Sequence, residues 1–256
     1  MRGKKATNGI KTGDIFESEK YGSFEIIDYI DSRNVVVRFL STGFETTAQA
    51  VSVLKGNIKD KYLPSVQGVG IVGDNLTVDE TGKHTKEYKI WSDAIGRCYS
   101  KKNHKRSRTY FDCYLSDNFL NFTYFSSWCK KQRGFGNKGW VIDKDLLHKG
   151  NREYGEDFCC FIPEEVNIAL TNSKSARGEY PIGVSFNKPR QKFIAATTKL
   201  NGASKHLGIF DTPIEAFMCY KYHKEQYLKY LAEKYKDQID PRAYNALMSW
   251  EVNIDD

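Results

Sequence analysis

The sequence is poor in the features that mark membrane, secreted and zinc-ribbon proteins. None of its 256 residues falls in an apolar run of about 18, so no membrane span is expected. Its first residues, Met-Arg-Gly-Lys-Lys-Ala-Thr-Asn, lack the apolar segment that a secretory signal requires. The 6 cysteines form no Cys-x-x-Cys pair, which argues against a structural zinc. We therefore expect free, buried thiols in a reducing cytosol.

A phosphate-binding loop is also missing. The glycine-rich stretch 68–73 lacks Gly-Lys-Ser/Thr, so it indicates a linker. Aromatic residues are plentiful, at 14% of the chain, which argues against disorder and for packed cores. The net charge of +7 points to an acidic partner, most commonly nucleic acid. The length suits one large domain or about two to three small ones.

A β pattern follows a basic tail that covers residues 1–12. Within the segment 13–73, strand-like runs cover 23–29 and 34–40, with a polar turn between them. A third strand begins near Thr42. These short strands predict a small antiparallel β barrel of SH3-like size. The barrel could bind nucleic acid, bind a partner protein or simply cover the next domain.

A basic segment follows a predicted helix over 85–99, in which apolar residues recur at steps of three and four. Tyr99 and Tyr110 flank this segment, and no acid lies within it. Its cations are Arg97, Lys101, Lys102, Lys105, Arg106 and Arg108. Charge of one sign beside aromatic residues favours phosphate contacts and stacking over a loop kept basic for solubility. We expect this polar loop to bind nucleic acid.

The stretch 140–167 combines two strands and a helix with an excess of acids, and a helix near 117–132 is expected to pack behind it. Its acids are Asp143, Asp145, Glu153, Glu156, Asp157, Glu164 and Glu165, and its bases are Lys144, Lys149 and Arg152. Asp143 ends the first strand and Asn167 lies one turn into the helix, so the two could hold one Mg²⁺ or Mn²⁺. Alternatively, Asp143 and Asp145 only cap a turn or pair with Lys144.

The last third of the chain predicts a three-stranded sheet packed on one helix. Strands are expected at 180–186, 191–198 and 205–210, and the Asn-Gly pair at 201–202 is a strong hairpin signal. A helix over 213–236 begins with the capping pattern Thr-Pro-Ile-Glu. The sheet contains five cations and no acid: Lys188, Arg190, Lys192, Lys199 and Lys205. We expect Arg190 and Lys192 to contact base edges or phosphates, and Lys199 and Lys205 to contact phosphates.

The residues from Trp140 to Asn167 resemble the ββα-metal (HNH) nuclease motif. The resemblance rests on Asp-Lys-Asp at 143–145, Gly-Asn at 150–151, Cys-Phe-Ile-Pro at 160–163 and the helix asparagine. It implies that Asp143 is the first metal ligand and Asn167 the helix ligand. The family places a general-base histidine where this chain has Lys144. A lysine is cationic near neutral pH unless it is buried, so Asp145 or His148 would have to help position the water.

The C-terminal pattern resembles the AP2 DNA-binding domain, in which the exposed face of the sheet lies in the major groove. The pattern is Gly-Val-x-Phe, then Lys-Phe-x-Ala, then Lys-His-Leu-Gly-x-Phe-x-Thr-x-x-Glu-Ala. Together the two motifs resemble bacteriophage HNH/AP2 homing-endonuclease-like proteins over about residues 13 to 250. The expected fold is α+β, with an HNH-like domain over 85–172 and an AP2-like domain over 179–250.

The sequence is compatible with three functions. The resemblance implies a protein of the infected bacterial cytoplasm that binds double-stranded DNA and cleaves it with a metal ion. Lys144 at the histidine position favours a DNA-binding regulator whose nuclease motif is a structural relic. A third possibility is a phage factor that uses its basic face to bind and inhibit a host defence protein.

Overall fold

The computed structural model describes residues 9–106, 108–171, 178–198 and 204–256. The first eight residues of the predicted basic tail, most of the polar linker after residue 171 and the predicted turn at 201–202 lie outside these ranges. The fold is mixed α+β, as expected, with several small sheets. The chain divides into two compact units, Met1–Ser127 and Trp128–Asp256. Among the described residues, no helix combines the length and the apolar character needed to cross a membrane.

The first unit begins with a four-stranded antiparallel sheet and continues with helices. Its strands are β1 (Ile15–Ser18), β2 (Gly22–Asp31), β3 (Asn34–Phe39), β4 (Glu45–Ala48) and β5 (Tyr114–Leu115). Its helices are α1 (Ala50–Leu54), α2 (Lys86–Tyr99) and α3 (Lys101–Arg106), followed by a 3₁₀ turn at Arg108–Tyr110. Helix α4 (Phe122–Lys131) spans the boundary between the units.

The predicted SH3-like barrel is wrong, because the N-terminal strands form an open sheet in the order β1-β2-β3-β4. Among the described residues, β1 pairs with β2 and β4 pairs with β3, and no hydrogen-bonded pairing joins β1 to β4 as closure would require. Helix α1 instead covers the apolar side of the sheet, with Ala50 and Val53 buried against Phe24, Val37 and their neighbours. The sheet therefore obtains its core from a helix rather than from closure.

The second unit contains a hairpin, a three-stranded sheet and three further helices. Its strands are β6 (Trp140–Asp143), β7 (Glu153–Tyr154), β8 (Cys160–Pro163), β9 (Val184–Asn187), β10 (Lys192–Thr198) and β11 (Ser204–Phe210). Its helices are α5 (Glu164–Leu170), α6 (Pro213–Tyr235) and α7 (Pro241–Met248), with a 3₁₀ turn at Lys188–Arg190. Strand β6 pairs antiparallel with β8, and the larger sheet has the order β11-β10-β9.

One core joins the hairpin and α5 to the two C-terminal helices. Ile162 of β8 and Val166 of α5 are buried in the same cluster as Leu228 and Leu231 of α6. The carboxylate of Glu165 strengthens this junction, because it accepts hydrogen bonds from the Tyr235 hydroxyl at 2.8 Å and the Lys234 ammonium at 2.5 Å. The ββα element is therefore held by the long helix that also carries the C-terminal sheet.

Helix α6 supports the three-stranded sheet with its first turns. Phe217 and Tyr220 of the helix are buried with Ala195 at the centre of the sheet. Phe193 and Val184 pack against the same cluster. This arrangement buries one face of the sheet and leaves the opposite face to solvent.

Candidate nucleic-acid interface and hairpin site

The basic segment after α2 is a helix and not the polar loop expected from the sequence. Ser100 has extended backbone angles, its carbonyl accepts from His104 N at 3.0 Å and its hydroxyl accepts from Asn103 N. These contacts cap the start of α3, and lysine and arginine favour helix. Lys101, Lys102, Lys105 and Arg106 are all exposed on this helix. We call these four residues the α3 surface.

Side chains of α3 fix the helix on the C-terminal end of α2. The Asn103 side-chain amide donates to the Gly96 carbonyl at 2.8 Å, and a His104 ring nitrogen lies 2.9 Å from the Arg97 carbonyl. The last carbonyls of a helix lack partners within it, so these contacts satisfy them. The α3 surface is thus attached to a longer helix with a buried apolar face.

The cations of the α3 surface have no acidic partner among the described residues. The two tyrosines expected to stack are engaged within the protein. The Tyr99 hydroxyl accepts from Leu115 N at 3.1 Å, and the Arg97 guanidinium lies 5.6 Å from the centre of the Tyr110 ring. The side chain of Arg108 lies outside the described part of the chain. Four predicted phosphate ligands therefore share one short helix.

Two further predicted cations lie in the tight connection between β9 and β10. Lys188 and Arg190 are exposed in the 3₁₀ turn. The Asn187 side chain accepts from Arg190 N at 3.1 Å, and Gln191 leaves the turn with a positive φ of 49°. The backbone of this turn is therefore ordered by its own asparagine. No ion pair involves Lys188 or Arg190 in the described ranges.

One cation of the C-terminal sheet has an acidic partner at the edge of the sheet. Lys192 forms an ion pair with Asp211, the residue that directly follows β11. Asp211 lay one position beyond the acid-free stretch of the sequence, and strand pairing brings it back beside the first residue of β10. Lys192 is thus partly neutralised, whereas Lys205 remains exposed. Lys199, the remaining predicted cation, lies outside the described residues.

The solvent face of the sheet has an apolar centre, which the pattern of cations in the sequence did not predict. Alternation along β10 buries Ala195 and turns Ile194 to the opposite face. Ile194 pairs with Ser185 on one side and with Ile209 on the other, and Ile209 is 37% exposed. The two-residue alternation along β10, which is visible in the sequence, is the signal that predicts which side chains lie on this face. The face therefore combines isoleucine side chains with cations at its edges.

Asp143 ends β6 as predicted, but its carboxylate is used by the backbone. One oxygen, Oδ1, accepts from Asp145 N at 2.9 Å and from Leu146 N at 2.6 Å. Burial raises the pKa of the Asp143 carboxyl, and these backbone hydrogen bonds oppose the rise. This is the turn-capping arrangement that the sequence left open as an alternative. No hydrogen bond of Oδ2 is seen in the described part of the chain.

Lys144, at the position where the resembled motif has a histidine, is a buried structural residue. Its side chain is 7% exposed, and its ammonium donates to Asp145 at 2.8 Å and to the Asn151 carbonyl at 2.6 Å. The Asn151 side chain in turn donates to the Lys144 carbonyl at 2.8 Å and to the Glu153 carbonyl at 2.6 Å. These reciprocal contacts close the loop between β6 and β7.

The other two predicted catalytic and metal-binding residues are not joined to this network. His148 is exposed, with its ring 5.3 Å from that of Phe158. Asn167 is half-buried in α5, and its carbonyl accepts from the Thr171 hydroxyl at 3.0 Å. Over the described ranges, no group of three or more His, Cys, Asp or Glu side chains is placed to hold a metal ion. Of the four predicted residues of this site, only Asp143 and Asp145 are therefore seen to share a hydrogen-bond network in the described part of the chain.

No protein-family model, no curated protein and no solved structure matches this chain.

Proposed function

We propose that this protein binds double-stranded DNA, in an infected bacterial cytoplasm, through the α3 surface and the solvent face of the C-terminal sheet. The observation that carries the proposal is a set of exposed cations without acidic partners: Lys101, Lys102, Lys105, Arg106, Lys188, Arg190 and Lys205. Cations that no carboxylate neutralises release counterions when phosphates replace solvent around them. The net charge of +7 adds long-range attraction to a polyanion.

The C-terminal sheet is the better candidate for contact with bases. A β ribbon fits the major groove, and arginine pairs with guanine there through O6 and N7. Arg190 has the required side chain and exposure, and Lys188 and Lys205 suit phosphates. Ile194 and Ile209 offer apolar contact to thymine methyl groups. The resemblance to the AP2 pattern supports the same orientation.

A gel-shift titration with a duplex tests this proposal. We expect the double variant Lys188→Ala/Arg190→Ala to weaken binding by about 30- to 700-fold, because each of the two contacts is worth roughly 1 to 2 kcal/mol. The matched control is Lys55→Ala/Lys59→Ala, which removes the same charge from exposed positions elsewhere. Equal losses in both variants would show that net charge alone matters. Unchanged binding in every basic variant would exclude the proposal.

Metal-dependent cleavage of the bound DNA is a second candidate, favoured by the ββα arrangement of β6, β8 and α5. Mg²⁺ commonly takes one or two carboxylates and fills its remaining positions with water and phosphate. The Asp143 Oδ2 atom fits such a role, with Asn167 as the proposed helix ligand. Asp145 and His148 are the proposed positioning groups for water. The ion, when bound, would polarise the phosphodiester.

A plasmid-nicking assay with Mg²⁺ or Mn²⁺, with and without EDTA, separates the two candidates. Asp143→Asn retains an oxygen for the backbone amides of residues 145 and 146 but removes the charge. Cleavage that EDTA and this substitution both abolish supports a nuclease. DNA binding that EDTA leaves unchanged, without nicking, supports a regulator. A chain that binds no DNA would leave inhibition of a host protein as the remaining hypothesis.

A further inference from the structure

A concave surface of about 680 Å³ lies beside the α3 surface in the first unit. It is lined by His104, Lys105, Phe111 and Asp112. Phe111 is 67% exposed, which is unusual for a phenylalanine in a folded unit. None of these residues except Lys105 belongs to the interface described above. An open concave surface of this volume has room for a planar heterocycle.

The aromatic wall of this surface is fixed in place. The rings of His104 and Phe111 lie 5.5 Å apart and are tilted by 57°. A ring nitrogen of His104 is held by the Arg97 carbonyl at 2.9 Å, so the imidazole does not turn freely. An exposed phenylalanine supported by a fixed ring is a stacking platform for a nucleobase.

A carboxylate accompanies the cation on this surface, and this combination selects the ligand. Asp112 is exposed and takes part in no ion pair among the described residues. Its negative charge disfavours a phosphate at this position, whereas the neighbouring α3 surface favours one. A nucleobase at the rings and its backbone phosphates along α3 satisfy both sets of charges.

We propose that this surface binds one unpaired guanine of a nucleic-acid strand whose phosphates contact the α3 surface. Guanine presents two adjacent donors, N1–H and N2–H, which a single carboxylate can accept together. The Lys105 ammonium is suited to donate to the guanine O6 or N7 acceptors. In a duplex the N1–H and N2–H groups are already paired and both faces of the base are stacked, so the guanine must be single-stranded or extruded. This inference rests on the proposed nucleic-acid binding.

Fluorescence-anisotropy titration of the full chain with labelled single strands tests the inference. The probes are four oligothymidines that each contain G, A, C or T at one central position. We expect the guanine probe to bind about 10-fold more tightly than the thymine probe, and Asp112→Asn to remove this preference. Phe111→Ala should weaken guanine binding about 5- to 100-fold, as loss of one stacked base does, and Phe111→Tyr should retain it.

The controls separate failure of this inference from failure of the proposed function. Tyr222→Ala removes an equally exposed aromatic ring in the second unit and should leave all four affinities unchanged. Equal binding of all four probes, with no effect of Phe111→Ala, overturns the inference. If duplex binding still depends on the α3 surface in that case, the proposed function stands. If the α3 cations also prove irrelevant to every nucleic acid, the proposed function falls with it.

Discussion

Lys144 has a structural role at a position where the resembled motif has a catalytic residue. A lysine at a general-base position suggests either an altered mechanism or a lost one. Its ammonium instead joins Asp145 to the Asn151 carbonyl inside the loop. A buried ammonium needs such partners, because an unpaired charge in the interior is costly. At this position the sequence identifies the departure from the motif that it resembles, and only the packed structure supplies the reason for the lysine.

The structural role of Lys144 predicts a loss of stability when its ammonium is removed. Lys144→Met keeps a linear apolar chain but leaves the Asn151 carbonyl without its donor. We expect the free energy of unfolding to fall by about 1–3 kcal/mol, as for a hydrogen bond to a charged group. Chemical denaturation measures this change, and Lys138→Met, at an exposed position, is the control. Equal stability of the two variants would contradict the structural role.

Lys224 is a second lysine whose environment has a measurable consequence. It lies on α6 between the buried residues Tyr220 and Leu228, with no hydrogen bond or ion pair in the described chain. Burial lowers the pKa of its ammonium from 10.5 to about 8. Between about pH 8 and 10.5 the unfolded state therefore binds more protons than the folded state. Stability contributed at this site should rise with pH across that window and be lowest below it.

Replacing Lys224 should accordingly stabilise the protein at neutral pH. We expect Lys224→Met to raise the free energy of unfolding by up to about 3 kcal/mol at pH 7, because it removes the cost of burying the charge. The difference should shrink as the pH approaches 10.5. Denaturation of both proteins at pH 7 and pH 10 measures it, with the exposed Lys59→Met as control. A pH-independent difference would point to packing rather than charge.

Among the helices and strands, the sequence patterns of neighbouring residues correctly predicted the elements that are determined by contacts between neighbours. The Thr-Pro-Ile-Glu pattern predicted the start of α6, and the reciprocal bonds are present. Glu215 N donates to the Thr212 hydroxyl at 3.2 Å, and Thr212 N donates to the Glu215 carboxylate at 3.0 Å. The helix over 85–99 followed equally from the periodicity of its apolar residues. Each depends on residues close in sequence.

Elements that depend on distant partners were missed or misassigned. Strand β1 is short and obtains its identity from pairing with β2, and α1 is defined by the sheet core that it covers. The ion pair between Lys192 and Asp211 requires two strands to meet. Long-range packing, and not local propensity, decided these cases.

Gly183 directly precedes β9, the first strand of the sheet that we propose binds DNA. Its φ is +76°, and a Cβ built there would fall on the ring of Tyr220, which supports the sheet from α6. Gly183→Ala should therefore strain the entry to β9 and cost about 2–4 kcal/mol. The variant should unfold at a lower temperature and should bind duplex DNA more weakly. Gly178→Ala adds the same methyl group in open space, so a similar loss there would contradict this explanation.

The whole molecule presents its proposed DNA-binding cations in two ways. In the first unit they share the short helix α3, where four cations lie within six residues. In the second unit they lie at the edges of a sheet whose centre is apolar. A helix with charge of one sign suits the phosphate backbone, which is the same at every sequence. A mixed apolar and basic sheet suits base edges, so we expect the second unit to supply sequence preference.

This division predicts different salt dependences for variants of the two surfaces. Each phosphate contact adds about −0.9 to the slope of log K against log salt on duplex DNA. Removing all four cations of the α3 surface should make the slope shallower by up to about 3.6, with little change in sequence preference. Lys188→Ala should remove about 0.9, whereas Lys192→Ala should remove less, because Asp211 already neutralises that lysine. Duplex titrations between about 50 and 200 mM salt measure these slopes. Equal effects of Lys188→Ala and Lys192→Ala would show that the ion pair with Asp211 opens on binding, and an unchanged slope in every variant would place the DNA on another surface.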